Sequence, residues 1–137
     1  MGQANDRAVA VIPARWASTR FPGKPLAELA GEPMIAHVVR RAAEATTVEQ
    51  VLVATDDERI AAAARAAGAE AVLTGEHPSG TDRVAAALAG RAEWGIVVNV
   101  QGDEPLLAGA NIDVVVAGLR NDPEVAIATL CRPLEPE

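Results

Sequence analysis

A cluster of positive charge follows the first apolar stretch of this chain. Arg15, Arg20 and Lys24 lie in a segment without acidic residues, although the whole chain carries a formal net charge of -7. Ser18 and Gly23 lie among them, and small residues let backbone N–H groups approach an anion while the cations neutralise its charge. The segment therefore has the chemistry of a phosphate site, and a mobile basic surface loop is the alternative interpretation.

The same loop lacks two glycine patterns that bind the phosphates of nucleotides. It contains no GxxxxGK[ST] sequence, so it is not a P-loop, and no GxGxxG sequence, which argues against a dinucleotide site. If the loop binds phosphate, its cations and small residues must do so without either motif.

A second candidate is the segment "VNVQGDEPL", which continues from a strand-like stretch. Asp103 lies beside Gly102 and before Pro105, where its carboxylate can hold Mg²⁺ while substrate phosphates complete the shell. Gln101 can supply a directed hydrogen bond. An ordinary acidic turn is the preferred explanation of an isolated GDEP sequence, and Glu104 is interpreted as a solvated neighbour or helix-start charge, not a second ligand.

A third candidate is the segment "EHPSGTDRV". Ser79 and Asp82 match a capping-box pattern that begins a helix, and Gly80 eases the turn. A helix N-terminus with Arg83 near a ligand would also suit a base, a ribose or a phosphate. His77 is interpreted as a surface or hydrogen-bonding residue, since the sequence offers no Ser-His-Asp or Cys-His arrangement for it.

Acidic residues also follow the second strand-like stretch, in the segment "ATDDERI". Capping of the next helix by Asp56 or Asp57 explains them, and acids at that end favour the helix dipole. A role beside a nucleotide base is the alternative interpretation.

Strand-like and helix-like patterns alternate along the chain and must position these segments. The predicted strands are Ala8–Ile12, Gln50–Ala54, Ala69–Leu73, Ile96–Val100 and Val125–Leu130, and the predicted helices are Met34–Ala45, Asp57–Ala67, Ser79–Ala89 and Ile112–Leu119. The alternation predicts an α/β fold with a mostly parallel sheet and helices on both faces. Ligands in such folds bind at the carboxyl ends of strands, so we expect the polar segments after the first, second and fourth strands to meet at one edge.

Composition limits the class of protein. Half of the residues are hydrophobic, which predicts one domain with a core of small aliphatic side chains. A pI of about 4.8 argues against a general partner of nucleic acid or of an acidic membrane surface. Cys131 is the only cysteine, so an internal disulfide and a cysteine zinc cage are excluded. No signal-peptide pattern and no apolar run near the ~20 residues that span a bilayer are found, which predicts a cytoplasmic protein.

Four of these segments, in their order along the chain, resemble one family. They are similar to motifs of the 3-deoxy-manno-octulosonate cytidylyltransferases, the CMP-Kdo synthetases: "VIPARWASTRFPGKPL", "ATDDERI", "HPSGTDRV" and "VNVQGDEPLL". The likeness runs from about Val9 to "ATLCRPLE". It implies a Rossmann-like nucleotidyltransferase (nucleotide-diphospho-sugar transferase) fold. It also implies a transferase that converts CTP and Kdo to CMP-Kdo and pyrophosphate for lipopolysaccharide biosynthesis, with Mg²⁺ as cofactor, as a homodimer in the full-length protein, without a nucleic-acid or membrane partner.

The same resemblance implies roles for individual residues. Arg15 and Lys24 would be catalytic by contacting the triphosphate, and Asp103 by holding magnesium. Arg20 would lie near the phosphates or the incoming sugar acid, and Gln101 between the nucleotide and Kdo. The residues implied to bind the nucleotide are Ala14, Arg15, Ser18, Lys24, Ser79, Gly80, Arg83 and Gln101.

Members of the family are considerably longer than this chain. A second magnesium aspartate, most Kdo contacts and the dimerisation segment have no counterpart here, so residues 1–137 are interpreted as the amino-terminal nucleotide-binding α/β domain of a longer fold. We expect weak or no turnover from it alone. The alternatives left open are a nucleotidyltransferase for another acidic sugar such as 8-amino-Kdo, a non-catalytic CTP-binding module, and a purely structural α/β domain.

Overall fold

A computed structural model describes residues 6–18 and 20–131, which form a main sheet and a small hairpin. The strands are β1 (Ala8–Ala14), β2 (Glu28–Leu29), β3 (Glu32–Pro33), β4 (Val48–Thr55), β5 (Glu70–Leu73) and β6 (Ile96–Asn99). β2 and β3 pair in the antiparallel hairpin, and the other strands form a parallel sheet in the order β5-β4-β1-β6. The first four predicted strands are therefore confirmed, with small differences at their ends.

Helices cover both faces of the parallel sheet. The α-helices within the described residues are α1 (Met34–Ala43), α2 (Glu58–Ala66), α3 (Gly80–Ala87) and α4 (Gly109–Asn121). Apolar side chains of α1, α2 and α4 pack in one hydrophobic cluster, and those of α3 pack in a second cluster. The predicted α/β fold with helices on both faces is confirmed. None of these described helices is long and apolar enough to cross a membrane.

β1 is an inner strand of the sheet, and its side chains are buried on both faces. Ala8, Ala10 and Ile12 join the cluster formed with α1, α2 and α4, whereas Val9 and Val11 join the cluster formed with α3. All five are fully buried. A strand covered on both faces must be apolar at consecutive positions, not only at alternate ones, which explains the unbroken run "AVAVI".

The strand order creates a crevice beside β1. From β1 the chain moves outward through β4 to β5, and it then returns through α3 to β6 on the other side of β1. The direction in which strands are added therefore reverses between β1 and β6, and the helices that follow these two strands, α1 and α4, pack in one cluster on the same face of the sheet. In open α/β sheets, ligands bind in the crevice outside the carboxyl ends of such a pair of strands.

The predicted fifth strand, Val125–Leu130, is wrong. Residues 125–131 form no strand, and Ile127 is 86% exposed. Residues 126–130 instead line a groove of about 600 Å³ that β6 also lines. A short apolar run becomes a strand only when a neighbouring strand exchanges hydrogen bonds with it, and the described part of the chain supplies no such neighbour here.

Asp113 of α4 fastens this helix to the loop between α1 and β4. Its carboxylate accepts hydrogen bonds from the backbone N–H groups of Thr46 and Thr47, at 3.1 and 2.9 Å, and from both threonine hydroxyls. These donors, the Thr47 hydroxyl foremost, lower the pKa of Asp113 from 3.8 to about 2. The cause is that hydrogen bonds to a carboxylate favour its charged form.

We expect Asp113→Asn to destabilise the fold in a pH-dependent way. A carboxyl group whose pKa is lower in the folded state stabilises the fold above its unfolded pKa of 3.8, and this contribution is lost as the pH falls toward 2. The free energy of unfolding should therefore fall by about 1–2 kcal/mol at pH 7, and by less at pH 3. Urea unfolding at both pH values measures this, with Glu28→Gln, an exposed carboxylate on β2, as the control. Equal stability of the Asp113 variant at pH 7 would contradict the prediction.

Candidate functional site

A cleft of about 370 Å³ opens at the carboxyl edge of the parallel sheet, between the loops that follow β1 and β6 and the segment before α3. The predicted site residues that line it are Ala14, Arg15, Ser18, Lys24, Ser79, Gly80, Arg83, Gln101 and Asp103. Arg20 does not line this cleft. Its contact with the phosphates or the sugar acid therefore stays a prediction that the cleft itself does not support.

Lys24 and Asp103 meet across the cleft although 79 positions separate them in the chain. The lysine Nζ lies 3.4 Å from Oδ2 of the aspartate, and about half of each side chain is exposed. An exposed ion pair of this kind stabilises a fold by only about 0–1 kcal/mol. What it shows is that the loop after β1 brings a cation, and the loop after β6 a carboxylate, to one point where a ligand can reach both.

The conformation of the first loop depends on Gly23, which precedes Lys24. Gly23 has a φ of +72°, and its N–H donates to the carbonyl of Trp16 at 2.8 Å. A Cβ at this position would lie 2.6 Å from Cη2 of the indole. Because only glycine meets both conditions without strain, this residue sets the direction in which a short 3₁₀ turn, Lys24–Leu26, leaves the loop.

A second glycine brings the loop after β6 close to the end of β1. A Cβ on Gly102 would lie 3.0 Å from the carbonyl oxygen of Pro13, so the two backbones approach closely. Gln101 and Asp103, on either side of this glycine, both line the cleft. Glu104 instead lines the groove beside β6, in agreement with its interpretation as a neighbour and not a ligand.

The segment before α3 forms the opposite wall of the cleft. Ser79 caps this helix, because its Oγ accepts the N–H of Asp82 at 3.1 Å and its hydroxyl donates to the Asp82 carboxylate at 2.7 Å. Gly80 packs against Pro13, whose Cγ would lie 3.3 Å from a Cβ on that glycine. The predicted cap is confirmed, and it places a helix N-terminus, with its partial positive charge, at the cleft.

Arg83 is buried at the cleft, where its guanidinium is partly engaged within the protein. Its Nη1 donates to the hydroxyl of Thr74 at 2.6 Å and to the carbonyl of Gly75 at 3.0 Å, and its Nη2 lies 3.9 Å from Asp56. Arg83 therefore holds the segment after β5 in place while it adds positive charge to the cleft.

The two aspartates after β4 have separate functions in the fold. Asp57 caps α2, because its carboxylate accepts the N–H groups of Arg59 and Ile60. Asp56 instead accepts the N–H of Trp16 at 3.1 Å, which ties the loop after β1 to the end of β4. A hydrogen bond from the Arg59 side chain lowers the pKa of Asp57.

The cleft carries an excess of positive charge. Arg15, Lys24 and Arg83 line it, whereas Asp103 is the only carboxylate among its lining residues. Within the described residues, no hydrogen bond or ion pair is found for the Arg15 guanidinium. Cations in a concave site attract anionic ligands even when the whole protein is acidic, so the charge of the cleft suits a phosphate-rich ligand.

Sequence reasoning missed a few residues of the cleft wall. His77, interpreted as a surface residue, lines it, as do Pro13, Pro25 and Pro78. The prolines adjoin predicted site residues, and their apolar rings shape the wall between the polar groups. His77 lies two positions before Ser79, and that proximity to the helix cap was the signal that could have placed it in the cleft.

The parallel sheet, the reversal of its strand order beside β1 and the positively charged cleft at that point define a nucleotidyltransferase-type α/β fold. The same fold is seen in a cytidylyltransferase from Leptospira borgpetersenii, with a TM-score of 0.74 over 86% of this chain and 50% of that chain, at 22% identity. A CMP:2-keto-3-deoxy-manno-octonic acid synthetase complexed with CTP matches with a TM-score of 0.82, at 44% identity, over 87% of this chain and 49% of that chain.

The chain belongs to the cytidylyltransferase family, whose sequence model matches residues 9–137. It is 57% identical over 132 residues to a 3-deoxy-manno-octulosonate cytidylyltransferase of Anaeromyxobacter sp. (strain Fw109-5), and 56% identical over 130 residues to that of Myxococcus xanthus (strain DK1622). These matches cover 96% and 94% of this chain but 53% and 52% of the relatives. The chain therefore spans about half the length of the curated relatives it matches.

Proposed function

We propose that this chain carries the nucleotide-binding part of a 3-deoxy-manno-octulosonate cytidylyltransferase, which joins CTP and Kdo into CMP-Kdo and releases pyrophosphate. The similarity to relatives of that name supports the proposal. The observation that carries it is the meeting of Lys24 and Asp103, 3.4 Å apart, in a cleft that Arg15 also lines. A phosphate-binding cation beside a carboxylate that can hold a metal is the arrangement that nucleotide transfer from a metal-bound triphosphate needs.

Catalysis in this proposal consists of positioning and charge stabilisation. The anomeric hydroxyl oxygen of Kdo bonds to the α-phosphorus of CTP while the bond from that phosphorus to the β-phosphate oxygen breaks. Pyrophosphate leaves with the electron pair, and the hydroxyl proton passes to solvent. Arg15 and Lys24 hold the triphosphate and stabilise the negative charge that grows on the leaving group, and Gln101 orients the nucleotide and Kdo.

The nucleoside end of CTP belongs, in this proposal, at the wall formed by the start of α3. Ser79 and Gly80 expose the polar end of this helix to the cleft, and Arg83 lies at its base. Because the Ser79 hydroxyl and Nη1 of Arg83 already have partners in the protein, we expect shape and backbone groups to contribute much of the cytidine binding here.

The cleft suits a magnesium ion that arrives with the nucleotide. The described residues contain no group of three or more His, Cys, Asp or Glu side chains that could hold a metal by themselves. Mg²⁺ commonly binds through one or two carboxylates and completes its shell with phosphate oxygens and water. Asp103 would hold the ion, which supplies neutralisation of phosphate charge when bound, and Lys24 would then be released from Asp103 to the phosphates.

Calorimetric titration of this chain with CTP tests the binding half of the proposal. We expect saturable binding of CTP whose affinity is higher in the presence of Mg²⁺. Under the same conditions the affinity for CTP should exceed that for ATP. CTP should also raise the melting temperature, because a ligand that binds only the native state stabilises it. Absence of binding, or equal binding of both nucleotides, would contradict the proposal.

A fusion of this chain to the remaining part of the Anaeromyxobacter relative tests the transfer reaction. We expect pyrophosphate release that requires both CTP and Kdo, with weak or no release by this chain alone. Preference for 8-amino-Kdo would indicate a related acidic-sugar transferase, and CTP binding without any release by the fusion would indicate a non-catalytic module. Lipopolysaccharide biosynthesis and the homodimer stay predictions from the resemblance, and the cytoplasmic location stays a prediction from the sequence pattern.

A further inference from the structure

We propose that Arg59 is a positioning residue of the triphosphate site, which acts through Trp16 and Gly23 on Lys24. The proposal rests on the proposed function, because it takes Lys24 as a ligand of the triphosphate. Arg59 lies on α2 and is not among the residues that line the cleft, so any effect on nucleotide binding must be transmitted by other side chains.

Arg59 is held flat against Trp16. Its guanidinium carbon lies 3.5 Å from the centroid of the indole ring. Its Nε and Nη2 donate to the two oxygens of Asp57 at 3.1 and 2.8 Å. Asp57 is itself fixed as the cap of α2. Two parallel hydrogen bonds fix the plane of a guanidinium, and a planar cation over an indole face is an attractive cation–π arrangement.

Trp16 in turn supports the segment that carries Lys24. Its carbonyl accepts the N–H of Gly23 at 2.8 Å, and its own N–H donates to Asp56 at 3.1 Å. The indole lies against Gly23 so closely that a Cβ there would come within 2.6 Å of Cη2. The next residue, Lys24, reaches Asp103. A continuous series of contacts thus runs from the start of α2 to the ion pair in the cleft.

This arrangement indicates that Arg59 acts by geometry and not by its charge. The guanidinium is already paired with Asp57, so little of its field is available to a phosphate in the cleft. What it supplies is a surface over one face of Trp16 while Gly23 contacts the same ring elsewhere. Without that surface the indole can change its orientation. The indole then no longer fixes the positions of Gly23 and Lys24.

A double-mutant cycle tests this inference, with the affinity for CTP in the presence of Mg²⁺ measured by calorimetric titration. We expect Arg59→Ala to weaken binding about three- to tenfold, the range of one cation–π contact, and Arg59→Lys to weaken it less. In the Lys24→Ala background, Arg59→Ala should have no further effect, because Arg59 acts only through that lysine. Arg65→Ala is the matched control, since Arg65 lies on the same helix and pairs with Glu58 at 2.8 Å, whereas Arg59 is the arginine that stacks on Trp16. It should leave the affinity within twofold.

The indole emission gives a readout that needs no ligand. In a Trp94→Phe background, which leaves Trp16 as the only tryptophan, Arg59→Ala should shift the emission while Arg65→Ala should not. The proposal is overturned if the Arg59→Ala variant binds CTP with Mg²⁺ as tightly as the original chain. It is also overturned if Arg59→Ala lowers the affinity by the same factor in the original chain and in the Lys24→Ala variant. Absence of binding by the original chain would instead reject the proposed function, on which this inference rests.

Discussion

Replacing Lys24 or Asp103 with alanine is expected to weaken the binding of CTP with Mg²⁺ by roughly 10- to 100-fold. In the proposed function each substitution removes a charged contact with the metal–nucleotide complex. Hydrogen bonds to charged groups contribute about 1.5–3 kcal/mol, where about 1.4 kcal/mol equals a factor of ten. The two variants should differ in kind. Asp103→Ala should lose the gain in affinity that Mg²⁺ provides, whereas Lys24→Ala should keep that gain and show a weaker dependence on salt.

Calorimetric titrations with and without Mg²⁺, at low and high NaCl, separate these outcomes. Glu104→Ala is the control, because this carboxylate adjoins Asp103 in the chain but lines the groove beside β6 and not the cleft. Lys24 is also the only lysine in the sequence, so acylation of its amine should be slowed by CTP with Mg²⁺. Unchanged affinity in both alanine variants would remove the basis of the site assignment.

The second large effect concerns stability, at the contact between α4 and the end of α1. We expect Gly109→Ala to lower the free energy of unfolding by about 2–3 kcal/mol, the upper range for overpacking in a well-packed interior. A Cβ on Gly109 would lie 2.6 Å from the backbone nitrogen of Ala45 and 2.7 Å from the carbonyl carbon of Glu44. Backbone atoms cannot rotate away as a side chain can, so α4 itself would have to shift.

Gly118→Ala is the matched control on the same helix. No atom lies within 4 Å of a Cβ built at Gly118, which is exposed. Alanine there should raise the free energy of unfolding by about 0.5–1 kcal/mol, because glycine is the poorer helix former. Urea midpoints of the two variants should therefore move in opposite directions. A midpoint for Gly109→Ala at or above that of the original chain would show that α1 and α4 are not packed as described.

Features that depend on neighbouring residues could be predicted from the sequence. The unbroken apolar run of β1 indicated a strand buried on both faces, and the Ser79 cap was visible as a serine three positions before an aspartate. The order of strands and helices then implied that the polar segments share one edge of the sheet. Most residues of the candidate site could be named for that reason, since each follows a strand or begins a helix.

Features that depend on distant partners could not be predicted in this way. Val125–Leu130 is a short, nearly continuous apolar run, as in a buried strand, yet it forms no strand because the described chain offers it no neighbouring strand. The hydrogen bonds of Arg83 Nη1 to Thr74 and Gly75 had no signal in the sequence, while its predicted contact with the nucleotide stays a prediction. The stacking of Arg59 on Trp16 left no local signal, because residues so far apart in the chain reveal a contact only after folding.

The sequence by itself determined the alternation of strands and helices, the caps and the chemical character of the loops, because periodicity and capping are set by residues within a few positions of one another. Only the tertiary structure decided that Lys24 meets Asp103 and that Trp16 supports the glycine before that lysine. Those contacts depend on the order of strands in the sheet, which brings together residues that local patterns treat as independent.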